Sequence, residues 1–182
     1  MAEKLGDILK SHILGLRRYA MALSGNSVEA DDLVQECMAR ALSRAHVWAK
    51  VRDHRAYLFT ILHNIYVDGV IRQRRQGVQV PIEDATPILR ALPNQQERIE
   101  IRDLKRGLAA LPDTHRSVVL LVGLEGMSYR QTADILGVPI GTIMSRLSRG
   151  REMLRRHMNN DQSERAERSL RDGAVTAVNE RA

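Results

Sequence analysis

Apolar residues recur three or four positions apart through most of the 182-residue chain, the spacing of an amphipathic helix. From about Leu9 to Ser24, the residues Ile13, Leu16, Ala20 and Leu23 share one helical face. The SGNS run at 24–27 breaks that period. Ser27 is expected to cap a second helix reaching about Val47, with Leu33, Cys37, Ala41 and Ala45 on its apolar stripe. Ala30 stands where a capping box would need Glu, so only the simple cap is predicted. WAKVRD forms a short basic connection. A third helix is predicted over about His54–Arg75, burying Leu58, Ile61, Leu62, Ile65 and Val70. No long stretch alternates apolar and polar residues between hairpin turns, so the predicted class is all-α.

The helical period fails over residues 76–95, where Gly77, Pro81, Pro87 and Pro93 fall. That stretch reads as a linker between two small helical domains. The expected division is a first domain over 8–75, a flexible linker over 76–96, a second domain over 97–158 and a polar tail over 159–182. The second domain opens on a helix with Ile101, Leu104, Leu108 and Leu111 in register. Pro112 and Asp113 restart the chain, and Gly126 ends the helix that follows. Ser128 is placed to cap the short helix YRQTADIL. The final helix is predicted to reach about Met158, and the tail to be mobile or loosely helical.

Two breakers punctuate the second domain. Gly137 can take the left-handed backbone that closes a helix, and Pro139 presets the φ that opens another. Together they predict a turn of about three residues, the spacing of a helix-turn-helix. Ala133 is small where the two helices would meet. Ile143, Leu147 and Leu154 point to the core, leaving Thr142, Ser145, Arg146 and Arg149 on the opposite side. Hydroxyls and arginines there suit base edges and phosphates.

Charge sharpens this picture. The formal net charge is +6, which favours a polyanionic partner. Between Arg40 and Arg75, eight basic residues face only Asp53 and Asp68. Such a surface can hold single-stranded backbone. Aromatic residues make up only 3%, so the cores must be aliphatic. The single cysteine, Cys37, has no partner for an intramolecular disulfide and reads as a core thiol. No nucleophile–base pair, metal-ligand spacing or phosphate-binding glycine loop occurs. An enzyme, a cofactor and a metal are therefore not expected. No run of about 18 apolar residues predicts a membrane span, and the opening segment lacks secretory-signal character. A cytoplasmic location is expected.

The segment LPDTHRSVVLLVGLEGMSYRQTADILGVPIGTIMSRLSRGREML resembles region four of bacterial sigma factors, specifically the small extracytoplasmic function (ECF) group. ADDLVQECMARAL and AYLFTILHNIYVDGVIRQRR resemble that group's region two. Tyr57 stands where the group usually has Trp, Gln131 and Thr132 replace a common acidic–Ile pair, and Met144 fills a position that is often basic.

The resemblance implies an alternative sigma factor that directs core RNA polymerase to a particular promoter set, in a stress or environmental response. It implies docking of Asp32, Gln35 and Glu36 on the polymerase beta-prime coiled coil, with the beta flap a second polymerase contact. Minus-ten recognition and melting fall to Trp48, Lys50, Arg52, Arg55, Asn64, Arg72, Arg74 and Arg75. Trp48 is equally consistent with packing under its loop, and His54 and His63 read as surface or phosphate contacts. The minus-thirty-five element falls to Thr142, Met144, Ser145, Arg146 and Arg149. A cognate anti-sigma factor is a further implied partner, able to hold the protein near the membrane without insertion. Two other readings remain open: a helix-turn-helix regulator acting without polymerase, and a sigma-like adaptor that captures a partner protein.

Overall fold

The structure is a computed structural model and describes residues 2–75 and 95–179. It contains α1 (Ala2–Ser24), α2 (Ser27–Ser43), a 3₁₀ turn (Ala45–Lys50), α3 (His54–Arg75), α4 (Gln95–Ala110), α5 (Asp113–Val119), α6 (Tyr129–Leu136) and α7 (Ile140–Asn179). No strand occurs among the described residues. Residues 76–94, most of the predicted linker, lie outside the described residues.

Helix α3 has the bounds its sequence predicts. Several local expectations are corrected. Helix α1 begins at Ala2, well before Leu9. Asn26, rather than Ser27, caps α2, because its side-chain oxygen accepts from the N–H groups of Val28 at 2.8 Å and Glu29 at 3.0 Å. Helix α2 stops at Ser43, and Ala45 is exposed in the 3₁₀ turn. In α4 the register is rotated: Leu104 is exposed whereas Asp103 is buried. Helix α5 runs on through a π turn over Leu120–Leu124. Helix α7 continues to Asn179, past the predicted end near Met158.

Helices α1, α2 and α3 bury Leu16, Tyr19, Leu23, Cys37, Leu58, Phe59 and Leu62 together. Tyr19 and Phe59 tilt against each other with centroids 5.3 Å apart, the arrangement aromatic quadrupoles favour. Arg17 ties α1 to α2 through two hydrogen bonds to Asp31, at 2.6 and 3.1 Å. That contact holds the Asp31 carboxyl below its ordinary pKa. In the second half, Val118, Ala133, Ile143 and Leu147 form a smaller cluster. Gly150 lets α7 approach α5, since a Cβ there would lie 2.8 Å from Val119 Cγ2.

The two halves do not stand apart. Leu120, Leu121, Met127 and Ile135 of the second half are buried in the same cluster as α1–α3.

Candidate nucleic-acid interface

The second half builds its exposed face on a short, strongly capped helix pair. Ser128 and Gln131 form a reciprocal capping box: Gln131 N–H donates to Ser128 Oγ at 3.1 Å, and Ser128 N–H donates to Gln131 Oε1 at 2.9 Å. Gly137 closes α6 at φ 64°, a backbone conformation that side chains disfavour. Its N–H returns to the Ala133 carbonyl. Residues 137–139 then separate α6 from α7, matching the predicted helix-turn-helix spacing.

Ile143 and Leu147 turn inward from α7, as their spacing predicts. Met144, Ser145 and Arg149 are exposed, and Thr142 and Arg146 are half-buried on the same helix start. Ser145 Oγ donates to the Thr142 carbonyl at 3.0 Å, which leaves its oxygen free to accept. His115 of α5 was not singled out by sequence. Burial lowers its pKa, and Arg146 and Arg149 lower it further. His115 is therefore a neutral neighbour of the two arginines at pH 7.

The basic surface of the first half divides into three groups. Lys50, Arg52, Asn64, Arg72 and Arg75 are exposed. Arg55 and Arg74 are instead paired with the second half. Arg55 Nη2 donates to the Glu125 carbonyl oxygen at 2.6 Å and to Glu125 Oε2 at 3.1 Å, with its guanidinium 5.5 Å from the Phe59 ring centroid. Arg74 Nη2 donates to Asp113 Oδ2 at 2.8 Å.

Trp48 forms the third group, and of its two readings the packing one is what its surroundings match. It is 6% exposed, its indole N–H donates to the Ala41 carbonyl at 2.9 Å, and His54 stacks on it at 5.0 Å. Tyr57 meets the indole edge-on at 5.8 Å. The indole is thus committed to packing the connection beneath its own loop. His63 is half-buried. Burial lowers its pKa to about 4, and its Nδ1 lies 3.2 Å from Tyr19 Oη.

On α2, Asp32, Gln35 and Glu36 are exposed while Leu33 is buried, as their spacing predicts, and Val34 is buried beside it. Glu36 accepts from Arg40 Nε at 2.7 Å one turn on. Asp53 caps α3 by accepting from Ala56 N–H at 2.9 Å, and also accepts from Gln131 Nε2 at 2.7 Å. The Ala56 hydrogen bond is the main reason its pKa falls. Gln131 thus joins the caps of α3 and α6.

Among the described residues there is no group of three His, Cys, Asp or Glu that could hold a metal, and no helix long and apolar enough to cross a membrane. The Cys37 thiol is buried, which pushes its pKa up to about 12.

Family models match both halves: the Sigma2 domain of PhyR over residues 9–63, and Sigma-70 region 4 over residues 101–154. The chain is 35% identical over 158 residues to the ECF RNA polymerase sigma factor EcfG of Rhodopseudomonas palustris, covering 85% of this chain and 84% of the relative. It is 32% identical to the ECF RNA polymerase sigma factor SigL of Mycobacterium tuberculosis, covering 80% and 84%. Among solved structures, the sigma factor RpoE of Bartonella quintana, bound to the anti-sigma factor NepR, matches with a TM-score of 0.68 and 31% identity. That match covers 87% of this chain and 96% of the other. CnrH, solved with the cytosolic domain of CnrY, shares the fold at a TM-score of 0.64 and 22% identity, covering 88% and 91%.

Proposed function

This chain belongs to the ECF RNA polymerase sigma factors, and from that premise we propose how its surfaces share the work of promoter recognition. As a sigma factor it gives core polymerase its promoter choice, and it acts by binding rather than by making or breaking bonds. We take 8–75 as the first domain and 97–158 as the second, with the linker expected over 76–96 giving way to α4 already at Gln95.

Asp32, Gln35 and Glu36 form the face for the beta-prime coiled coil. Their exposure over the buried pair Leu33 and Val34 leaves three polar groups on adjoining positions, where charge complementarity sets orientation. Lys50, Arg52, Arg55, Asn64, Arg72, Arg74 and Arg75 hold the melted minus-ten strand. Trp48 supports their loop from below. A base flipped from the stack costs a few kcal/mol to expose, which the cationic surface offsets.

Thr142, Met144, Ser145, Arg146 and Arg149 read the minus-thirty-five duplex from the start of α7. Each good bidentate base contact contributes about 1–3 kcal/mol of discrimination. Phosphate contacts add affinity that falls with salt. The observation that carries the reading is the exposed Arg149 face of α7, set on a capped helix-turn-helix in the same chain as a basic α3. The adaptor reading would not need that face.

An anti-sigma factor restrains the protein, as one is bound to the similar Bartonella quintana chain. The protein works in the cytoplasm during a stress or environmental response. The test is transcription of genomic fragments by core polymerase with and without the purified chain. Promoter-specific RNA that requires the chain supports the assignment. DNA binding that is indifferent to polymerase would instead favour a regulator acting alone.

A further inference from the structure

We propose that His115 of α5 is a further phosphate ligand of the upstream duplex, forming an anion-binding notch with Arg146 and Arg149 and taking up a proton as the DNA backbone enters it. The inference rests on the assignment of those two arginines to the minus-thirty-five duplex made above.

The place of His115 follows from how α5 meets α7. A Cβ at residue 150 would lie 2.8 Å from Val119 Cγ2, 3.5 Å from His115 Cβ and 3.6 Å from the His115 carbonyl oxygen. Glycine thus lets the α7 backbone rest on residues 115 and 119, which are four apart and share one face of α5. Val119 packs against the cluster of Val118, Ala133, Ile143 and Leu147. His115 stands one turn nearer the start of α5, half-buried at the margin of that seam. On α7, Arg146 lies one turn before Gly150 and Arg149 immediately before it, so the turn that meets His115 carries both arginines.

Charge is unbalanced at this margin. Among the described residues, neither Arg146 nor Arg149 forms an ion pair. Both cations disfavour an imidazolium at residue 115, and with burial they hold its pKa below the ordinary value. No nearby acid offsets them. Asp113, two residues earlier, is taken by Arg74 at 2.8 Å and by Arg116 at 3.4 Å. Arg116 itself donates to the carbonyls of Leu23, Ala109 and Leu111. The π turn Leu120–Leu124 carries no charged side chain, and Arg18 of α1 is committed to Glu125. Thr114 Oγ1 lies 3.3 Å from His115 Nδ1, which leaves Nε2 for a ligand.

A phosphate reverses the sign of this environment. Its negative charge offsets the repulsion that keeps the ring neutral. The imidazolium then donates a charge-assisted hydrogen bond from Nε2 to a phosphate oxygen. The proton comes from solvent, so duplex binding takes up a proton at this group and tightens as the solution is acidified. A backbone contact of this kind fixes the register of α7 on the duplex without reading sequence.

The test uses the full chain and a fluorescent duplex of mixed sequence, about two helical turns long, because a phosphate contact does not depend on the bases. Anisotropy titrations across a salt series would be run near pH 8 and near pH 6. On acidification the unaltered chain should gain about tenfold more affinity than His115→Gln, the equivalent of one pKa unit. At the lower pH its slope of log affinity against log salt should be steeper by about 0.9, one additional phosphate. At the higher pH the two chains should bind alike, whereas His115→Lys, with its fixed charge, should bind more tightly than either. The His115 ring signals in NMR should titrate at higher pH with the duplex than without it.

Equal pH responses in the unaltered chain and His115→Gln, with Arg149→Ala weakening binding at both pH values, would overturn the His115 contact and leave the upstream assignment standing. A ring titration that the duplex does not move would overturn it equally, without recourse to a variant. If Arg149→Ala binds the duplex as the unaltered chain does, the assignment of that face fails and the proposal falls with it.

Discussion

Arg18 grips both carboxylate oxygens of Glu125, a residue 107 positions further along the chain, at 2.8 and 2.9 Å. The pair is asymmetric: the Glu125 side chain is fully buried, whereas that of Arg18 is 52% exposed. Removing the arginine strands a buried charge on Arg55 alone, while removing the carboxylate leaves cations that water can reach. Arg18→Ala should therefore destabilise the docked chain by roughly 1–3 kcal/mol, and by more than Arg18→Lys, which keeps the charge but loses the fork. Urea denaturation monitored by circular dichroism would read the difference.

The second prediction concerns the link between caps. Ser128→Ala should cost about 1 kcal/mol through loss of the α6 cap. Gln131→Ala should cost more, because it removes both the partner of Ser128 N–H and the donor to Asp53. Thermal melts of the two variants check the order. An equal effect would show that the Asp53 contact contributes nothing.

Packing of α7 on α5 supplies the third. A methyl at residue 150 would meet Val119 Cγ2 at 2.8 Å and His115 Cβ at 3.5 Å. Gly150→Ala should be destabilising by about 1–3 kcal/mol through overpacking, partly offset by up to ~1 kcal/mol of helix propensity. Combining it with Val119→Ala should recover part of that loss. A double-mutant cycle with no coupling would refute the contact.

Half-buried His63 predicts a pH dependence. Its folded pKa, about 4, lies below the ordinary value of 6.5 because burial disfavours the imidazolium. Above pH 6.5 neither the folded nor the unfolded state is protonated there, so its contribution to stability is fully present. Between pH 6.5 and 4 the unfolded chain takes up the proton first, and stability falls by up to about 3 kcal/mol at 1.36 kcal/mol per unit. Below pH 4 the loss levels off. Titration of the His63 ring signals by NMR checks the value, and His63→Gln should flatten the urea midpoint between pH 7 and 5.

Finally, Arg149→Ala should weaken binding of the polymerase-bound protein to upstream duplex by about 1–3 kcal/mol, with little change in stability because Arg149 is exposed. Trp48→Ala should behave oppositely. Loss of its packing and of its hydrogen bond to Ala41 should lower stability by about 3–5 kcal/mol. Gel-shift titrations alongside thermal melts separate the two.

Helix ends were legible wherever the stop signal was local. Ser128, Gly126 and Gly137 act within a few residues of themselves, so their chemistry can be read in order along the chain. Asn26 was missed because Ser27 beside it is an equally good capping type, and only the backbone decides which residue stays outside the helix. The inward set on α7 was legible because Ile143 and Leu147 share one face by spacing alone.

The sequence by itself determined an all-helical chain with two basic halves, a capped helix-turn-helix and an exposed Arg149, since periodicity and caps depend on neighbours three or four residues away. Tertiary structure alone decided that Glu125 is buried, that Arg55 and Arg74 pair with the second half, and which of its two readings the surroundings of Trp48 match. An amphipathic stripe says which face seeks cover but not which distant element provides it. A carboxylate meant for an arginine 107 positions away is written with the same residue type as one meant for water.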